Sequence, residues 1–128
     1  MKLFNPSSTH RARAVQAWQV LVGAAMNRQT LTYKGLANLM YNGRNAQGVL
    51  AHILGHVAFY CIENDLPPLT SIVVGMGRGT PGQEIPMDLK KTDSERERVY
   101  KRDWYNVYPP IAEELHAAYV KHMKKWKG

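Results

Sequence analysis

The chain has 128 residues, a net charge of +7 and a pI near 9.7. A chain of this length forms one domain with its own hydrophobic core, so we expect residues 1–128 to fold as a single unit. Its one cysteine, Cys61, has no partner for an intramolecular disulfide, which is typical of a reducing compartment. The composition therefore predicts a cytoplasmic globular protein and excludes a disulfide-stapled scaffold.

No membrane segment is expected. The N-terminus "MKLFNPSSTH" lacks the apolar run of a signal peptide. The longest apolar segment, residues 49–62, is interrupted by His52 and His56 and is too short to cross a bilayer.

The positive charge favours an anionic partner, and nucleic acid is the commonest one. Residues 1–65 contain six Lys and Arg against two Asp and Glu, which is +4, and residues 66–128 contain eleven against eight, which is +3. The first half is basic mainly because it lacks acids, so we expect a cationic face there. The alternative is a basic surface that serves only solubility.

Apolar residues recur at helical spacing in the first half of the chain. A first helix is expected at about residues 9–27, with Ser7, Ser8 or Thr9 as its N-cap. Its outer face is expected to carry the polar residues Arg11, Arg13 and Gln16. Thr32 is the expected cap of a short helix at about 33–41, and the turn "YNGRN" separates it from a long helix at about 45–64. The long helix has one apolar stripe, formed by Leu50, Ile53, Leu54, Val57 and Cys61.

The second half begins with "LPPL", which ends the long helix because proline removes a backbone donor. The β-branched run "LTSIVVGM" at 69–76 predicts a buried strand, and "EIPM" at 84–87 predicts its antiparallel partner in a glycine-rich wing. A helix capped by Asp93 or Ser94 follows, and the last helix is expected at about 110–126. Its inward face is expected to consist of Ile111, Leu115, Ala118, Tyr119 and Trp126. The predicted fold is mainly α with a small β-hairpin, a winged helix-turn-helix-like core with flanking N- and C-terminal helices.

Three motifs in this order carry a family resemblance: "TYKGLA" at 32–37, "NAQGVLAHI" at 45–53 and "PPLTSIVV" at 67–74. Over about residues 31–83 the chain resembles the winged helix-turn-helix DNA-binding domain of O6-alkylguanine DNA alkyltransferases and alkyltransferase-like proteins. The resemblance implies a DNA-binding shape.

The chain departs from that family at its reactive positions. The nucleophilic cysteine and the neighbouring histidine of the family would fall near Thr70 and Ser71, and the arginine that intrudes into the DNA would fall at about Gln47. Cys61 lies on the apolar stripe of a helix, where a structural thiol is expected. We therefore expect DNA binding without alkyl transfer.

The start of the long helix is the main candidate DNA-binding site. Arg44, Asn45 and Gln47 cluster where a recognition helix meets a groove. Asn and Gln pair with adenine edges, and Arg pairs with guanine or phosphate. The alternative is a capped, solvated helix start.

Three further residues complete the candidate site. Tyr33 and Lys34 begin the short helix and could contact the DNA backbone, with a Tyr33 packed under the wing as the alternative. Arg78 lies in the wing turn, a position from which arginine enters the minor groove.

Two other motifs allow different chemistry. His52 and His56 lie one turn apart, which suits a pair of metal ligands or a pair that faces nucleic acid or a partner, but no third ligand is near in the sequence. Asp88 and Lys90 match part of a nuclease motif, with Glu84 four residues earlier.

The sequence thus predicts a double-stranded DNA-binding protein with a regulatory or accessory role, for example in a phage or mobile element. No catalytic residue, metal or cofactor is assigned. The first and last helices are expected to complete the core or to form a dimer interface. A metal-dependent nuclease and a protein–protein inhibitor or effector module are the alternatives.

Overall fold

The computed structural model describes residues 1–42, 47–75 and 91–127, with the backbone alone at residues 47 and 125–127. Over these residues the chain forms five α-helices and two short strands. They are α1 (His10–Met26), β1 (Leu31–Thr32), α2 (Tyr33–Tyr41), α3 (Gln47–Glu63), β2 (Val73–Val74), α4 (Thr92–Lys101) and α5 (Ala112–Lys127). The fold is mainly helical, as the sequence predicts.

Local side-chain chemistry places the ends of α1 and α2. The Thr9 hydroxyl oxygen accepts the Ala12 N–H at 3.2 Å, and the Thr32 hydroxyl oxygen accepts the Gly35 N–H at 2.9 Å. Both threonines are predicted caps, and both are confirmed. Asn42 ends α2 in the left-handed region, with φ of 52°, which is the conformation that asparagine tolerates better than most residues.

The prediction of a strand over residues 69–76 is wrong for its first half. Leu69–Ile72 forms a 3-10 helix, in which the Ser71 N–H donates to the Pro68 carbonyl oxygen at 2.9 Å. The side chains of this run are fully buried. A short buried run has no periodicity that distinguishes a strand from a 3-10 helix. Only Val73–Val74 is extended, and it pairs with Leu31–Thr32 in parallel. The predicted return strand at 84–87 and the wing lie outside the described residues.

The core is built around α3, which packs against both α1 and α5, and α1 and α5 also pack against each other. The predicted stripe of α3 is confirmed, because Leu50, Ile53, Leu54, Val57 and Cys61 are all fully buried. Trp18 of α1 meets the buried Trp104 edge to face at 5.7 Å between ring centroids. None of the helices within the described ranges is long and apolar enough to cross a membrane.

Two predicted orientations are wrong. Arg13, expected on the outer face of α1, is only 5% exposed, because the N-terminal residues fold over it and supply the Asn5 carbonyl oxygen as an acceptor. Ile111, expected on the inner face of the last helix, is 58% exposed, because α5 begins one residue later and Ile111 precedes its first turn.

Candidate nucleic-acid interface

The helices α2 and α3 form one packed unit. Leu36 and Met40 of α2 and Leu50 and Ile53 of α3 are all buried in the same core cluster. The parallel pair of β1 and β2 holds the other end of this unit, because Thr32 lies beside Val74. The chain therefore leaves β2 next to the first turn of α2.

The predicted DNA-binding residues have different outcomes. Tyr33 is half-buried and packs against the core, whereas Lys34 is exposed on the first turn of α2. The wing under which Tyr33 could alternatively pack lies outside the described residues. Gln47 begins α3, but its side chain is outside the described part of the chain. Arg44, Asn45 and Arg78 lie outside the described residues, as do the nuclease candidates Glu84, Asp88 and Lys90.

The charge of this region has one sign. From Met1 to Ile62 the chain contains no Asp or Glu. The same residues form α1, α2 and all but the last residue of α3. Their positive side chains are Lys2, Arg11, Arg13, Arg28, Lys34 and Arg44. Residues 1–62 therefore present no side-chain carboxylate to an approaching anion.

A cavity of about 450 Å³ opens beside the unit, between residues 4–10, the last turn of α2 and Val49 of α3. Arg13 lines it, but its guanidinium is already engaged. It donates to the Met40 carbonyl oxygen at 2.7 Å and lies over the Tyr41 ring at 4.3 Å. This arginine holds the N-terminal segment and α2 together, so we assign it a structural role.

Four histidines meet where α1, α3 and α5 come together. The sequence predicts only the pair His52 and His56. The additional members are His10 from the first turn of α1 and His116 from α5. Part of this cluster has a signal in the sequence. His52 and His56 are spaced so that they lie on one helix face, and so are His116 and Tyr119. The interpretation of His56 as a partner-facing residue is wrong, because α5 covers it and leaves it 3% exposed.

The positions that carry chemistry in the resembled family are buried here. Thr70 and Ser71 are 0% exposed, and their hydroxyl oxygens have no hydrogen-bond partner within the described ranges. Cys61 is also 0% exposed, and burial raises the pKa of its thiol to about 12. A protonated and buried thiol is a poor nucleophile, so Cys61 serves packing.

Glu63 joins the end of α3 to α5. One carboxylate oxygen accepts from the Lys121 ammonium at 2.6 Å, and the other contacts the His122 ring nitrogen. The hydrogen bonds from Lys121 and His122 lower the pKa of Glu63 to about 2. This exposed contact links α3 to α5 at the surface.

Comparison with known proteins gives no relative for this architecture: no protein-family model, no curated protein and no solved structure matches the chain.

Proposed function

We propose that the chain binds double-stranded DNA through the first turn of α2 and the start of α3, as a winged helix-turn-helix does. The observation that carries the proposal is the charge of residues 1–62, which include six Lys and Arg and no Asp or Glu. DNA binding draws most of its affinity from cations that displace counterions from phosphates, and acids on the same face oppose it.

The packing of α2 against α3 supports the proposal. Lys34 projects from the first turn of α2 into solvent, and α3 begins five residues after Asn42 ends α2. The free N–H groups at a helix start attract phosphate. In this proposal Arg44, Asn45 and Gln47 read the groove beside that helix start.

The resemblance to alkyltransferase-like domains extends the proposal to the wing. β2 ends beside the first turn of α2, and a wing at this place would flank the same DNA. Arg78 would then contact the minor groove. The role would be regulatory or accessory and cytoplasmic, with a phage or mobile element as one setting and a homodimer as one form of the binding unit.

The test is a titration of the protein into fluorescent duplex DNA at two salt concentrations. The proposal expects affinity to fall steeply with salt, with the slope set by the number of phosphates contacted. Absence of binding at low salt would overturn it and favour the protein–protein module. Magnesium-dependent cleavage that is lost in Asp88→Ala would favour the nuclease.

A matched pair of variants locates the surface. Lys34→Gln is expected to weaken binding several-fold and to reduce the salt slope by about 1. Lys101→Gln makes the same charge change on the exposed end of α4, and it should leave affinity nearly unchanged. Equal losses in both variants would show that net charge, rather than this surface, drives the binding.

A further inference from the structure

The four histidines enclose a cavity of about 300 Å³ between the first turn of α1, the middle of α3 and α5. Seven residues line it, each with a polar group and none of them an Asp or Glu, and most of the surface that they expose to the cavity is carbon. They are Thr9, His10, Arg11, His52, His56, His116 and Tyr119. A concave surface on which several polar side chains converge is a candidate binding site.

His56 forms the buried wall of the cavity. Its Nδ1–H donates to the His52 carbonyl oxygen at 2.7 Å, which leaves Nε2 as an acceptor directed toward His116 Nδ1 at 3.4 Å. The pKa of His56 is lowered to about 4, mainly by burial and to a smaller extent by charge on His116, His10 and Arg11, and the hydrogen bond to the His52 carbonyl oxygen opposes this shift. His56 is therefore neutral near pH 7, and the charges that act on it are positive.

The rim of the cavity supplies donors. His52 Nδ1 lies 3.1 Å from the Tyr119 hydroxyl oxygen, and the His52 ring stacks on His10 at 5.7 Å between centroids. Arg11 forms no ion pair with any of the described acids, so its guanidinium has no competing carboxylate there.

The start of α1 adds a positive field. Thr9 caps the Ala12 N–H, and its carbonyl oxygen accepts the Arg13 N–H at 2.9 Å. The N–H groups of the first two helical residues, His10 and Arg11, have no partner among the described residues. The first turn of α1 carries no acidic residue that would oppose an anion.

The same features disfavour a metal ion. No group of three His, Cys, Asp or Glu side chains within the described ranges is arranged to hold one. Arg11 and the positive end of α1 would also repel a cation, whereas both attract an anion.

We propose that this cavity binds a phosphate group, held by Arg11 and the start of α1 together with the imidazole N–H groups of His10, His52 and His116. Phosphate is favoured among anions because its several oxygens can accept from donors on three helices at once. The groups that face it are His10 and Arg11 from α1, His52 and His56 from α3, and His116 and Tyr119 from α5. The proposal stands independently of DNA binding, and the phosphate could be free or part of a DNA backbone.

The experiment is a titration of inorganic phosphate near pH 6, below the ordinary imidazole pKa of about 6.5, followed by NMR of the histidine side chains. We expect saturable shifts for His10, His52 and His116. His122 also lies on α5, but it contacts Phe59 and Glu63 away from the cavity, so it should not shift. Chloride at the same ionic strength is the control, and equal shifts with chloride would overturn the proposal.

Two variants sharpen the test. Arg11→Gln is expected to weaken phosphate binding about tenfold, the usual loss for one charge-assisted hydrogen bond. His122→Gln removes a histidine outside the cavity and should bind phosphate like the parent protein. Unchanged phosphate affinity in Arg11→Gln, or an equal loss in both variants, would contradict the site.

A competition experiment identifies the source of the phosphate. If a short DNA duplex displaces inorganic phosphate, and Arg11→Gln weakens both ligands, the cavity binds a backbone phosphate. If phosphate saturates the cavity while a duplex neither binds nor competes, the cavity binds free phosphate or a small ester. That result would refute the DNA-binding proposal and leave the phosphate site standing.

Discussion

The Arg13 guanidinium donates to the Met40 carbonyl oxygen at 2.7 Å and so joins α1 to the last turn of α2. The same group donates to the Gln16 amide oxygen and the Asn5 carbonyl oxygen. One buried side chain therefore satisfies acceptors from three parts of the chain, including a carbonyl at a helix end, where such groups lack helical partners.

Replacing Arg13 with Met keeps the aliphatic stem but leaves those acceptors without a donor. We expect Arg13→Met to lower the free energy of unfolding by about 1–3 kcal/mol, because unsatisfied buried acceptors are costly. Urea unfolding monitored by circular dichroism measures the change. The control is Arg11→Met, two residues earlier on α1, which should change stability by less than about 0.5 kcal/mol. Equal losses would argue against the structural role of Arg13.

Gly55 allows α5 to lie close to α3. A Cβ at Gly55 would lie 3.0 Å from Tyr119 Cε1, whereas a Cβ at Gly23 in α1 would meet nothing within 4 Å. Gly23→Ala is therefore expected to raise the free energy of unfolding by about 0.5–1 kcal/mol through helix propensity. Gly55→Ala has the same propensity gain but displaces Tyr119, so it should be at least about 1 kcal/mol less stable than Gly23→Ala. Similar effects of both changes in thermal unfolding would contradict the close approach.

The buried His56 predicts a loss of stability in mild acid. Its pKa is lowered from 6.5 in the unfolded chain to about 4 in the folded one. The unfolded chain therefore binds the extra proton between these values, and stability falls as the pH falls from 6.5 toward 4. We expect a loss of roughly 2 kcal/mol over this window.

The contribution of His56 is isolated by substitution. His56→Gln should flatten the decline in the free energy of unfolding between pH 6.5 and 4.5. Glu63 does not contribute in this window, because its pKa is lowered from 4.5 to about 2 on folding and its own loss of stability falls below pH 4.5. His122→Gln should retain the decline. A parent protein whose stability does not change across this window would show that His56 is not held neutral.

The reactivity of the Cys61 thiol measures how readily the core around α3 opens. Its thiol is fully buried and its pKa is raised to about 12, so almost none of it is thiolate at pH 8. Reaction with a disulfide reagent is expected to be at least about a thousandfold slower in the native protein than in urea. Rapid labelling of the native protein would mean that the thiol is accessible and that the core around α3 opens readily.

Local signals in the sequence predict the starts of α1 and α2, whereas α4 begins at Thr92 and the predicted caps Asp93 and Ser94 lie inside it. Thr9 and Thr32 are caps in the sequence and in the structure, because N-capping depends on residues a few positions apart. The stripe from Leu50 to Cys61 is likewise recovered, since one helix face repeats at a fixed spacing.

Features that depend on distant residues could not be predicted. The burial of Arg13 requires the N-terminal segment to fold back, and the burial of His56 requires α5 to cross α3. The parallel pairing of Leu31 with Val73 is a further case, because neither two-residue strand has a pattern of its own. The candidate DNA site was predicted from a turn motif, whereas the histidine cavity forms only when three helices meet.

The pairing of Leu31 with Val73 also bears on the order of folding. It closes a loop that contains α2, α3 and the 3-10 helix, and the entropy of closing such a loop is lost before the two strands gain anything from pairing. The strands are too short to offset that loss alone. We therefore expect α2 and α3 to dock on α1 first, and the two strands to pair only after these helices have packed.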